Sequence, residues 1–221
     1  MREMPSESDS GFSRRGLLRS GLLIGLGAAG LAAAAPAFTG VARADVEIWV
    51  DINGNDYKTQ GDWAWCRKCS GLFWSSNGLN TGVCPAGGAH DLSGSSEYWV
   101  PHDGPEEGNP ASDPYGVQQH WSWCKNCDVL FWGPGDSGSY CPNPPAGKHN
   151  HVAGSSTVYD MMFGGPFQGD LFYQDGWAWC SACQGLFWSG FGGKCPGTNN
   201  MAEAHTVGSG TDYDLLWGAN P

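Results

Sequence analysis

The sequence predicts an all-β protein built from three tandem zinc-ribbon-like β-hairpin repeats. Three observations lead there. The motif W-x-W-C-x-x-C-x-x-L-F-W occurs three times, from Trp63 to Trp74, from Trp121 to Trp132 and from Trp177 to Trp188. Each copy is followed by a Cys-Pro, a His and a Tyr, and the His and Tyr are always eight positions apart. The chain also carries 35 Gly and 14 Pro, and no segment beyond residue 44 keeps a 3.6-residue apolar period with capping signals. Short strands joined by turns fit that pattern better than helices do.

The nine cysteines divide into three groups of three, each with one histidine. The sets are Cys66, Cys69, Cys84 and His90; Cys124, Cys127, Cys141 and His151; and Cys180, Cys183, Cys195 and His205. Three thiolates and an imidazole are the donors of a closed tetrahedral zinc site, and a C-x-x-C turn aims both of its sulfurs at one ion. Intervals of 14, 13 and 11 residues to the third cysteine suit a returning hairpin. The loops from that cysteine to the histidine vary (five, nine and nine residues), which leaves the histidine the least constrained ligand. In the second repeat His149 competes with His151, and His151 is preferred because it keeps the spacing to Tyr159. Disulfides are the competing use of these cysteines, but three per repeat would strand one thiol each time. The expected cofactor is three structural zinc ions.

From the start of the chain, residues 1–44 read as an address. Ser13-Arg14-Arg15-Gly16-Leu17-Leu18-Arg19 resembles a twin-arginine export signal, with Arg14 and Arg15 as the pair, ahead of an Ala-, Gly- and Leu-rich run from Gly21 to Ala35. Ala42-Arg43-Ala44 offers small residues to a signal peptidase, so Asp45 is the expected first residue of a secreted product. The resemblance implies export of a folded protein, whose thiols take up metal in the reducing cytoplasm before oxidation competes. No later segment is long and apolar enough to span a bilayer. The remainder divides into repeats at 45–101, 102–163 (with its linker) and 164–221.

Removing residues 1–44 leaves six Lys and Arg against 19 Asp and Glu, a net charge of −13. That excludes nucleic acid, whose phosphates need a basic footprint; it favours solubility and cationic partners.

Within a repeat, the two indoles of W-x-W fall on one strand face and L-F-W forms the return strand, placing the metal at the hairpin tip. A Gln recurs three residues ahead of each motif, at Gln60, Gln118 and Gln174. A further strand closes each repeat: Tyr98-Trp99-Val100, Tyr159 to Phe163 and Tyr213 to Trp217. Val46 to Val50 resembles a fourth copy of it, which would let the two ends of the secreted chain meet in a closed pseudo-threefold fold. A looser row of three units is the preferred arrangement. Repeats with a pitch of 58 and 56 residues bury little apolar surface alone, so metal is expected to hold them folded. The Q-x-W spacing of β-trefoil lectins is not matched. The linker carboxylates Asp103, Glu106, Glu107 and Asp113 fit no calcium-loop spacing and read as solvated.

For chemistry, a catalytic zinc needs an open coordination position and an acid or base beside it. Four ligands per repeat fill the tetrahedron, H-E-x-x-H is absent, and no Asp or Glu recurs at a fixed distance from the ligands, so no enzyme activity is expected. All 12 tryptophans lie beyond residue 44, nine of them in the repeats. The inner pair, such as Trp63 and Trp65, reads as core, whereas Trp74, Trp132 and Trp188 are divided between core and stacking on a ligand. The repeat resembles a short module found in tandem in secreted proteins of actinomycetes and other soil microbes, a resemblance that implies zinc and secretion but no activity. The second repeat departs from it, with Asp128-Val129 where the others have Ser70-Gly71 and Gln184-Gly185, and its turn is expected to differ. The reading is a secreted, non-enzymatic, zinc-stabilised protein that binds a glycan, cell-wall or protein partner. The alternative is a secreted metal-dependent hydrolase or metal-handling protein.

Overall fold

A β-strand sends alternate side chains to opposite faces, and each repeat uses that alternation in the same way. The computed structural model describes residues 48–52, 54–76, 81–104, 116–133, 138–144, 146, 149–165, 172–197, 203–208 and 210–217. The expected export signal with Arg14 and Arg15, and Glu106, Glu107 and Asp113 of the linker, lie outside them. The ten strands are β1 (Ile48–Ile52), β2 (Asn55–Trp65), β3 (Leu72–Trp74), β4 (Glu97–His102), β5 (Gly116–Trp123), β6 (Leu130–Trp132), β7 (Tyr159–Phe163), β8 (Tyr173–Trp179), β9 (Leu186–Trp188) and β10 (Tyr213–Trp217). The protein is all-β, with no α-helix among the described residues.

In the first repeat Trp63 pairs with Trp74, Ala64 with Phe73 and Trp65 with Leu72. The second and third repeats keep that register, from Trp121↔Trp132 and from Trp177↔Trp188. Indoles and leucines share one face with the central core, while Phe73, Phe131 and Phe187 turn to the other face with the cysteines. The middle residue of L-F-W thus belongs to the metal side.

Ahead of each motif the long strand is bulged. The pairing shifts between Gln60 and Trp63 and between Gln118 and Trp121, and β8 shifts likewise against β10. At the bulge Asp62, His120 and Gly176 take φ of 64°, 74° and 88°. Such a bulge bends the strand and strengthens the local twist.

The terminal strands close the structure. The start of β10 pairs with the end of β7 (Tyr213↔Phe163), the start of β7 with the end of β4 (Tyr159↔His102), and the start of β4 with the end of β10 (Tyr98↔Trp217). Each strand therefore pairs with both of the others, and the repeats form one curled antiparallel sheet with pseudo-threefold closure. The looser row of units is not what the chain adopts, for a row would leave three strand edges open.

Side chains repeat the closure. Trp63 meets Tyr159 edge to face at 5.2 Å, Trp121 meets Tyr213 at 5.4 Å and Trp177 meets Tyr98 at 5.2 Å. These rings, with Leu72, Leu130, Leu186, Met161 and Leu215, build one core shared by all three repeats. Main-chain bonds run the same circuit: Trp74 N–H to the Asp128 carbonyl, Trp132 N–H to Gln184 and Trp188 N–H to Ser70, at 2.9, 3.0 and 2.9 Å.

Strand β1 does not serve as a fourth copy joining the chain ends. It folds back on β2, from Ile48↔Thr59 to Ile52↔Asn55, through a turn where Gly54 takes φ 87° and its N–H reaches Asp51 Oδ1 at 2.7 Å. The hairpin lays Val50, Ile52 and Tyr57 against Val117, Met162 and Leu216, which covers the outer face of the terminal strands. Both faces of β7 are buried as a result.

Candidate metal centres

The knuckle between the first two ligands of each repeat is closed by its own main chain. Ser70 N–H reaches the Cys66 carbonyl, Asp128 N–H that of Cys124 and Gln184 N–H that of Cys180, each at 2.8 Å. Ser70, Asp128 and Gln184 occupy the left-handed region at φ 63°, 65° and 66°. The expected difference in the second turn is therefore absent. Aspartate tolerates that region better than most side chains, and its carboxylate accepts the Trp123 indole N–H at 3.2 Å.

Each knuckle meets a third cysteine and a histidine, so that four donor atoms lie within 4.8 Å of one another: Cys66, Cys69, Cys84 and His90; Cys124, Cys127, Cys141 and His151; Cys180, Cys183, Cys195 and His205. The separations fit a tetrahedron. Sulfur to sulfur is 3.9, 3.8 and 3.7 Å for Cys66–Cys84, Cys124–Cys141 and Cys180–Cys195. Sulfur to His Nδ1 is 3.4, 3.4 and 3.5 Å for Cys69–His90, Cys127–His151 and Cys183–His205. A tetrahedral ion with metal–sulfur bonds of about 2.3 Å and metal–nitrogen bonds of about 2.0 Å has edges of about 3.8 and 3.5 Å. His151 supplies the imidazole of the second group; His149 instead lies 6.0 Å from the Tyr140 ring and offers its carbonyl to Cys141 N–H at 2.7 Å.

The sites are shielded. All nine cysteines are buried, as are His90 and His151, while His205 is partly exposed. The phenylalanine of each L-F-W lies flat on the ligand imidazole, with centroids 4.5, 4.8 and 4.5 Å apart for Phe73–His90, Phe131–His151 and Phe187–His205. Main-chain N–H groups of Asp91 and Gly197 point at the sulfurs of Cys66 and Cys195, at 3.4 and 3.3 Å, and favour the thiolate.

So many acids in one space cannot all ionise without a cation. Hydrogen bonds from Cys69 and Cys84 hold the Cys66 thiol far below its ordinary range. Cys124 and Cys180 are lowered the same way by the other two cysteines of their own groups. Burial pushes Cys69 and Cys127 well above the thiol range, and hydrogen bonding to Cys180 does so for Cys183. Cys141 and Cys195 are pushed up to about 12, chiefly by bonding to Cys124 and Cys180. Burial pulls His90 down, but the Cys66 and Cys84 sulfurs outweigh it and carry it up to about 9. A divalent cation neutralises each cluster, favours its thiolates and expels their protons.

The outer shell reaches across repeats. His90 Nε2–H donates to the Cys127 carbonyl of the second repeat at 3.1 Å, and His205 Nε2–H to the Cys69 carbonyl of the first at 3.0 Å. These acceptors are backbone atoms, so no residue type announces them in the sequence.

Trp74, Trp132 and Trp188 sit on the seams. They meet Trp123, Trp179 and Trp65 of the neighbouring repeat edge to face at 5.5, 5.8 and 5.7 Å. All three are half-buried against the shared core. Among the described residues the most exposed aromatic side chains are Phe172, Phe191, Trp49 and Trp217, at 75, 67, 54 and 43%; the Phe191 ring also lies 4.8 Å from Trp188, and the Lys58 ammonium sits over Trp49.

These features define a class: a β protein, without an α-helix among its described residues, in which three Cys3His metal-binding repeats close on one another. Comparisons with protein-family models, with curated proteins and with solved structures give no match to this chain.

Proposed function

We propose that the chain is a secreted, non-enzymatic protein whose three centres hold structural zinc, and whose outer surface binds a glycan, cell-wall or protein partner. One observation carries the structural role: four donors per site, nearly all buried, converge at tetrahedral distances in the seams of the fold. Three sulfurs and one nitrogen in that geometry suit zinc. Bound there, the ion supplies charge neutralisation and cross-links the knuckle, the third cysteine and the histidine. A structural zinc site contributes on the order of 10 kcal/mol or more, which small repeats need. A catalytic role has less support, since a fifth position would have to open among buried side chains.

Secretion rests on the resemblance of Ser13 to Arg19 to an export signal, and the acidity of the chain suits an extracellular protein. The exposed rings of Trp49, Phe172, Phe191 and Trp217 are the surfaces offered to a partner. The test is retention of the zinc-loaded protein on immobilised glycans, cell-wall fragments and secreted proteins. Retention that falls with Phe191→Ala or Phe172→Ala, at unchanged folding, supports the binding role; no retention on any of them contradicts it.

A further inference from the structure

The circuit of outer hydrogen bonds is broken at one place. His151 Nε2 is buried and has no partner, although the symmetry that sends His90 to Cys127 and His205 to Cys69 would send it to the Cys183 carbonyl. One residue accounts for the break. Two positions before the third cysteine stand Gly82 and Gly193, at φ 48° and 55°, so close to the neighbour's carbonyl that a Cβ would lie 2.4 Å from Cys127 O or 2.0 Å from Cys69 O. The second repeat has Ser139 there. Its side chain cannot take that seat, and its hydroxyl accepts the His151 N–H at 2.9 Å, whereas His90 and His205 bond the carbonyls of Thr81 and Gly192.

A ligand imidazole whose second nitrogen lacks an acceptor is a poorer ligand, typically by 10- to 100-fold in metal affinity. Taking the three centres to be metal sites, we infer that the second is the exchangeable one: its ion leaves Cys124, Cys127, Cys141 and His151 before the others leave theirs. The order beyond that follows from the same bonds. His90 leans on the knuckle of the second repeat, so emptying that repeat loosens the first centre next. His205 leans on the first repeat, which makes the third centre the last to empty. Greater exposure of His205 opposes this order but does not remove its acceptor.

The experiment uses the full chain, loaded with zinc and challenged with a chromogenic chelator, with cysteine alkylation mapped by mass spectrometry over time. The expected result is one ion released roughly 10- to 100-fold faster than the others. Labelling should begin at Cys124, Cys127 and Cys141 and finish at Cys180, Cys183 and Cys195. Ser139→Gly, which restores the glycine seat, should slow that first release to the rate of the rest. Uniform release, or first labelling at the third centre, overturns the inference and leaves the zinc reading standing. A protein that retains no metal overturns both.

Discussion

The hydroxyl of Tyr213, in the third repeat, donates to Gln118 Oε1 of the second across 2.6 Å. Tyr98 makes the same bond to Gln174 at 2.6 Å, and Tyr159 makes it to Gln60. The Gln that precedes each W-x-W motif and the Tyr that follows each histidine are thus a single device, split between neighbouring repeats. Gln118→Leu removes the acceptor of a buried phenol and is expected to cost about 1–3 kcal/mol. Tyr213→Phe should cost less, because Gln118 still accepts the Trp121 indole N–H at 3.3 Å. Denaturant unfolding of both single variants and the double variant checks this. Equal effects that simply add would mean the two residues are not coupled.

Two of the three buried aspartates, Asp160 and Asp214, lie apart from the metal ligands and are expected to give the fold an unusual pH response. Asp160 and Asp214 take the main-chain N–H of Gly104 and Gly165 at 2.8 and 3.2 Å, and burial pushes each up to about 6. Asp103 raises Asp160 further while His102 and His120 lower it; Asp212 and Asp175 raise Asp214. A carboxyl with a folded pKa above its unfolded value favours the fold while protonated. That contribution is complete below the unfolded value of about 4 and is lost as pH rises through 6. Asp160→Asn keeps an acceptor for Gly104, so with saturating zinc it should stabilise the protein at pH 8 by up to about 2–3 kcal/mol and change little at pH 4. Thermal melts at the two pH values check the sign.

The seam tryptophans are expected to act on stability. Trp132→Ala or Trp188→Ala removes a half-buried indole from an edge-to-face contact between repeats and should cost about 2–4 kcal/mol. Phe172→Ala, at a ring 75% exposed, should stay within about 0.5 kcal/mol. Chemical denaturation separates the two sets, and a fully stable Trp188→Ala protein would return that residue to the ligand candidates.

Much of this architecture is legible in the sequence because it is local. The C-x-x-C knuckle, the shared face of W-x-W and the return strand are each set within a dozen residues. The recurring Gln and Tyr are visible too, but nothing in one repeat says that its Tyr seeks another repeat's Gln. Pairings 95 and 99 residues apart leave no periodic trace. Phe73 on His90 is hidden for a different reason, since L-F-W reads as an apolar strand and does not reveal that its middle residue faces the metal. The role of β1 had a local signal that similarity to the terminal strands obscured: Asn53-Gly54, a common hairpin turn pair, sits between β1 and β2. Ser139 is legible only by comparison with Gly82 and Gly193 once their seats are known.

Metal content and free-thiol count on the exported product test the central claim most directly. Three zinc ions per chain are expected, with cysteines that resist alkylation until a chelator is added, and loss of the β-sheet signal when zinc is stripped. A folded protein without metal, its cysteines paired in disulfides, would contradict the account.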